Sequence, residues 1–113
     1  MKIKITPLRK FEKEVAALID NRALLKEDYE ELKKALAETP ELGPVITKTG
    51  GVRKIRLKSS TKGKSGGFRI CYFYSPESKE LFLLCIYGKN KQEDLSESDK
   101  KELKALVAIF KKV

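Results

Sequence analysis

Eight side chains able to hold or neutralise phosphate crowd into one stretch of the chain, between Leu42 and Pro76. They are Lys48, Arg53, Lys54, Arg56, Lys58, Lys62, Lys64 and Arg69, with no acidic residue among them. The formal net charge is +9, yet the rest of the protein balances 17 basic groups against 16 acidic ones. Such separation costs self-repulsion and suits a polyanionic partner. The chain has no histidine, which excludes histidine acid–base chemistry. Its carboxylates avoid the basic stretch, which argues against a two-metal nuclease. Cys71 and Cys85 form no Cys-x-x-Cys pair, and no histidine is present to complete a zinc site. No metal and no cofactor are expected. If the chain acts chemically on nucleic acid, Lys, Arg and Tyr must do the work. An arginine can neutralise the charge that develops on phosphorus, and a crowded lysine can have its pKa lowered enough to accept a proton.

Spacing narrows the candidates. Ile55 and Leu57 alternate with Lys54, Arg56 and Lys58, a period of two that gives a strand one buried and one cationic face. A solvated edge strand guarded by its charges has the same pattern, but a solvated face normally mixes signs. Arg69 sits one residue into an otherwise apolar strand and should project from the sheet surface; a structural arginine bonded to a buried carboxylate is the alternative. Tyr87 and Lys89, two apart at the end of an apolar run, share a side. Tyr87 is a candidate for stacking on a base, although a lone tyrosine there is more often core. Lys62-Gly63-Lys64-Ser65 imitates the end of a Walker A motif, but Lys58 stands where that motif needs glycine, and a strand follows instead of a helix. Gly63, Gly66 and Gly67 nevertheless free backbone N–H groups to approach an anion.

The elements that must position these residues can be read in order. Lys2 to Ile5 is expected as a short edge strand with Ile3 and Ile5 inward. Thr6 is expected to cap a helix that Pro7 begins. That helix, with the stripe Leu8, Phe11, Val15, Leu18 and Ile19, should end near Asp20-Asn21. A second helix runs from about Lys26 to Glu38, with Tyr29, Leu32 and Leu36 inward and Lys26–Glu30 as a surface pair. Pro40, Gly43 and Pro44 stop it. Strands follow at Arg53–Lys58, Phe68–Tyr74 and Leu81–Tyr87, the last two central because they are apolar throughout. Ser75-Pro76-Glu77-Ser78 turns the chain between them. Ser96 and Asp99 form a capping box for a last helix, whose stripe is Leu103, Leu106, Val107 and Phe110. The order is β-α-α-β-β-β-α, an α+β fold with a small, mainly antiparallel four-stranded sheet flanked by helices.

At 113 residues the chain is read as a single domain, residues 1–113. Met1-Lys2-Ile3-Lys4 opens no secretory signal, and no segment approaches the roughly 20 apolar residues that span a bilayer. A cytoplasmic location with no membrane partner is the expectation. Cys71 and Cys85 lie in apolar runs and are expected as reduced core thiols; only neighbouring strands that happen to align them would permit a disulfide.

The run TGGVRKIRLKSSTKGKSGGFRICYFY, followed by LFLLCIYGKNKQEDLSESDKKEL, resembles the HigB-like branch of the RelE/ParE toxins of bacterial toxin–antitoxin systems. GG-x-RKIR, GKSGG-x-R and IYGKN in this order carry the likeness, which covers about Pro40 to Leu106 well and the N-terminal helices more loosely. The resemblance implies a small antiparallel sheet flanked by helices and a ribosome-dependent, metal-independent endoribonuclease that cuts translated mRNA. In that chemistry the 2′-hydroxyl attacks the adjacent phosphate, leaving a 2′,3′-cyclic phosphate and a free 5′-hydroxyl. By position Arg56, Lys64, Arg69, Tyr87 and Lys89 match its active-site positions. Lys64 or Lys89 would accept the proton, Arg69 would stabilise the phosphate and Tyr87 would stack. Arg53, Lys54, Lys58 and Lys62 would hold RNA backbone. Compared with the founding member, the arginine after Gly-Lys is here Asn90, the C-terminal tyrosine is replaced near Ser96, and the Ser59–Gly67 loop is longer. These departures fit the HigB-like branch. The likeness also implies a cognate antitoxin with a helix-turn-helix domain, alongside ribosome and translated mRNA. Two rival readings of the same features stay open: a ParE-like DNA gyrase inhibitor, and a non-catalytic RNA-binding module.

Overall fold

Two apolar strands that can be buried on both faces belong at the centre of a sheet. The computed structural model, which describes residues 2–58, 67–88 and 95–111, puts them there. The elements are β1 (Lys4–Pro7), α1 (Arg9–Asp20), α2 (Lys26–Glu38), β2 (Arg53–Leu57), β3 (Phe68–Ser75), β4 (Glu80–Gly88) and α3 (Glu97–Lys111). The sheet runs β1-β4-β3-β2, with β1 parallel to β4 and the other pairs antiparallel. The element order and the α+β class agree with the sequence.

Each face of the sheet has its own core. On one, Ile70, Tyr72, Leu81, Leu83 and Ile86 meet Phe11 and Val15 of α1 and Tyr29 and Leu36 of α2. Ile3, Ile5, Leu8, Leu18 and Ile19 pack around them, as their spacing predicts. On the other face Cys71, Phe73 and Leu84 meet Leu103 and Val107 of α3, with Leu106 and Phe110 beside them. The capping box forms: Asp99 N–H donates to Ser96 Oγ at 3.0 Å, and Ser96 N–H to Asp99 Oδ2 at 3.2 Å.

The start of α1 differs from expectation. Thr6 and Pro7 belong to β1, and Leu8, without a side-chain cap, precedes the helix. Pairing with β4 prevails: Leu8 N–H donates to Leu83 O at 3.0 Å, and the Thr6 hydroxyl is spent on Glu80 Oε2. Pro7 is tolerated because β1 is an edge strand. On α2, Glu30 pairs with Lys33 at 3.0 Å rather than with Lys26.

A β-bulge decides how the two faces are populated. From Ser75↔Glu80 to Tyr72↔Leu83 the pairing of β3 with β4 keeps one register, then shifts between Cys71 and Tyr72. Beyond the shift Cys71 pairs with Cys85, Ile70 with Ile86 and Arg69 with Tyr87. The extra residue is Leu84, so Leu84 and Cys85 both serve the α3 face. Unshifted, the ladder would set Arg69 opposite Ile86 and turn Tyr87 towards α1 and α2.

A candidate nucleic-acid site on the sheet

Register gathers the candidates into a row. Arg56 of β2 pairs with Arg69 of β3, and Arg69 pairs with Tyr87 of β4. Directly opposed residues share a face, so these three side chains stand side by side across three strands. Their face is the one opposite Ile55 and Leu57, which pack with α1 and α2. The next row is Lys54, Cys71 and Cys85. Gly67 delivers the chain into β3 with φ +137°, beside Leu57 O and Arg56 Nε. Only glycine takes that conformation without strain.

The row is partly withdrawn from solvent. Arg69 is half-buried, and its Nη1 is out of solvent with no hydrogen-bond acceptor among the described residues. The Tyr87 hydroxyl is also buried. Arg56, by contrast, is exposed at the sheet edge. Beside Tyr87 and Cys85 opens a cavity of about 500 Å³, walled by Leu8, Lys10 and Glu14 on one side and by Asp99, Glu102 and Leu106 on the other. A half-buried guanidinium next to a buried phenol suits a ligand that brings its own negative charge.

The other basic residues of the acid-free stretch sort themselves by partner. Lys48 pairs with Glu97 of α3 at 3.4 Å, which holds the Glu97 carboxyl below its usual value. Arg53 is committed to the loop after α2, donating from Nη1 to Gly43 O at 2.8 Å and pairing with Glu41 at 3.5 Å. Arg56 and Lys58 border a groove of about 200 Å³ shared with Asp28 and Glu31 of α2. The fold thus brings carboxylates to this strand edge that local sequence does not. Lys62, Lys64 and Lys89 lie outside the described residues. Among the described residues no group of three or more Cys, Asp or Glu is placed to hold a metal ion.

Three supporting residues have roles that the sequence does not show. Thr49 is fully buried; its Oγ1 donates to Ile46 O at 2.7 Å and accepts from Val52 N–H at 3.0 Å, closing the turn that launches β2. Tyr72 spans the sheet to accept from Gly43 N–H at 2.9 Å. Gly43 itself lies so near the Lys54 carbonyl that a Cβ atom would clash. A helix stop in sequence is here also a close approach.

The family model for the RelE toxin of the RelE / RelB toxin–antitoxin system matches residues 4–113. The chain belongs to the RelE toxin family. A double arginine-to-alanine mutant of E. coli toxin RelE in the free state has the same fold, with TM-score 0.56 over 82% of this chain and 90% of that one, at 23% identity. The row of Arg56, Arg69 and Tyr87 is therefore a feature of a RelE-family toxin of a toxin–antitoxin system. Among its described residues no helix is long and apolar enough to cross a membrane.

Proposed function

We propose that this toxin is a ribosome-dependent mRNA endoribonuclease of the HigB-like kind, working without metal. The observation that carries the reading is the Arg56–Arg69–Tyr87 row, with the Arg69 Nη1 buried. An in-line attack by the 2′-hydroxyl on the neighbouring phosphate concentrates negative charge on the non-bridging oxygens. Arg69 meets that charge from a half-buried site, where its field is less screened. Tyr87 stacks on a base and holds the nucleotide splayed, and Arg56 contacts the adjoining phosphate. Lys64 or Lys89 takes the 2′-hydroxyl proton; Lys89 is two residues beyond Tyr87 in sequence. The products are a 2′,3′-cyclic phosphate and a free 5′-hydroxyl. Lys54, Lys58 and Lys62 hold RNA backbone; Arg53, engaged by Gly43 O and Glu41, contributes less than its sequence position suggests. The partner in the resting cell is a cognate antitoxin with a helix-turn-helix domain, and its acidic segments neutralise the cationic stretch.

Primer extension on a reporter mRNA in a purified translation system tests the reading, with wild type and Arg69→Ala, with and without ribosomes. Cuts that need ribosomes and fall at least about 100-fold in Arg69→Ala are expected. Intact message while translation continues would overturn the proposal, and DNA gyrase supercoiling would be assayed next.

A further inference from the structure

Cys71 and Cys85 are direct partners across β3 and β4, one row along the same face from Arg69 and Tyr87. The bulge at Leu84 creates that alignment; unshifted pairing would place Leu84 opposite Cys71. Antiparallel partners have Cα atoms about 4.5 or 5.5 Å apart, and a disulfide spans about 4.4–6.8 Å. The two are thiols and are not joined in a disulfide. Their accessibility differs: Cys71 is fully buried, whereas Cys85 is partly exposed and lines the 500 Å³ cavity beside Tyr87.

We propose that Cys71 and Cys85 form a dithiol–disulfide modification site that responds to hydroperoxides, with Cys85 as the attacked thiol and Cys71 as the resolving one. The Cys85 thiolate attacks a peroxide oxygen, breaking the O–O bond to give a sulfenic acid and hydroxide. Cys71 sulfur then attacks the Cys85 sulfur, the S–S bond forms, and the departing hydroxide takes the Cys71 proton as water. Two thiols and one hydrogen peroxide thus become one disulfide and two waters. A hydrogen bond from Cys71 lowers the pKa of the Cys85 thiol despite its burial and the charges of Glu14 and Asp99. This raises the reactive thiolate fraction.

The consequence falls on the neighbouring row, and this part rests on the ribonuclease reading. A disulfide draws its Cβ atoms to about 3.8 Å, closer than the about 4.5–5.5 Å of ordinary cross-strand neighbours. The strands are pulled together beside Arg69 and Tyr87, where misplacement on the order of 1 Å slows chemistry severely. Oxidised toxin should cut mRNA up to about 100-fold more slowly than reduced toxin. Exposed disulfides are the labile ones, and the partly exposed Cys85 sulfur gives a reducing thiol access to this bond, hence a switch and not a staple.

The test treats reduced full-length protein with hydrogen peroxide and follows both thiols by maleimide labelling and intact mass. Expected is the joint loss of both thiols without chain dimers, reversed by dithiothreitol. Cys71→Ser should trap a dimedone-reactive sulfenic acid at Cys85, and Cys85→Ser should give none. Independent loss of the two thiols, purely intermolecular disulfides, or no oxidation of the folded wild type would overturn the site. A disulfide that forms but leaves cleavage unchanged would overturn the switch. Cleavage by the reduced protein tests the ribonuclease reading separately.

Discussion

Taking a guanidinium out of water is unfavourable unless something receives its N–H groups. Arg69 stands in a strand of apolar neighbours with Nη1 buried and no acceptor among the described residues. Thr49 is the opposite case, fully buried with its hydroxyl both donating and accepting. Thr49 therefore reads as structural, and Arg69 as the candidate for a functional role. A satisfied buried group holds the fold; under the proposed function the missing acceptor for Arg69 is the phosphate of the substrate. Arg69→Leu should therefore leave folding stability unchanged or raise it by up to about 2 kcal/mol, while cleavage falls as far as in Arg69→Ala. Urea unfolding and primer extension on the same preparation check both halves. A marked fall in the urea midpoint would mean that Arg69 is structural. Sequence makes Arg69 conspicuous, because a charge in an apolar strand stands out. Thr49 it leaves anonymous, because the two backbone partners come from a turn that exists only in the folded chain.

Hydrophobic period reads out elements well here. Helices α1 and α2 end where Asp20 and Glu38 suggest, and α3 follows Ser96. Period fails where two elements compete for the same residues, as at Thr6 and Pro7, where strand pairing wins over a helix cap. It fails again at the bulge. Counting by twos from Leu81 puts Leu83, Cys85 and Tyr87 together, yet Leu83 serves the α1–α2 core while Cys85 and Tyr87 serve the α3 face. No local residue signal marks Leu84, since all of 81–87 is apolar or aromatic. The sequence offers the candidate residues, then, but not the row into which the bulge sets Arg56, Arg69 and Tyr87. The capping box, being local, is fully legible and makes an element-scale prediction. Ser96→Ala should lower stability by about 1 kcal/mol, read as a drop of a few degrees in the thermal midpoint, with cleavage nearly unchanged at low temperature.

At the scale of the whole molecule, pH and salt act on different parts. The Tyr29 hydroxyl is pushed up to about 12, first by burial and then by Glu30 and Glu12. Its folded value lies above the ordinary 10.0, so the fold gains stability below pH 10 and loses it as pH rises towards 12. Tyr29→Phe should flatten the decline in stability over that window, as measured by urea midpoints from pH 9 to 12. Salt acts instead on the cationic stretch. Lys48 and Arg53 are paired with Glu97 and Glu41, so they add less to a phosphate-binding field than their sequence positions suggest. Lys58 is exposed, and Lys54 lies one row from Arg69. Neither belongs to the Arg56–Arg69–Tyr87 row, so under the proposed function they would hold RNA and take no part in the chemistry. Each phosphate contact removed should flatten the salt dependence of binding by roughly 0.7 to 0.9 in log–log slope. Lys54→Ala with Lys58→Ala should therefore raise KM for ribosome-bound message and reduce that slope by up to about 1.8, with kcat held within about twofold. Cleavage titrated from low to moderate salt measures this. If kcat collapsed while the slope stayed put, the two lysines would belong to the chemistry, and the division between a catalytic row and a holding surface would fall.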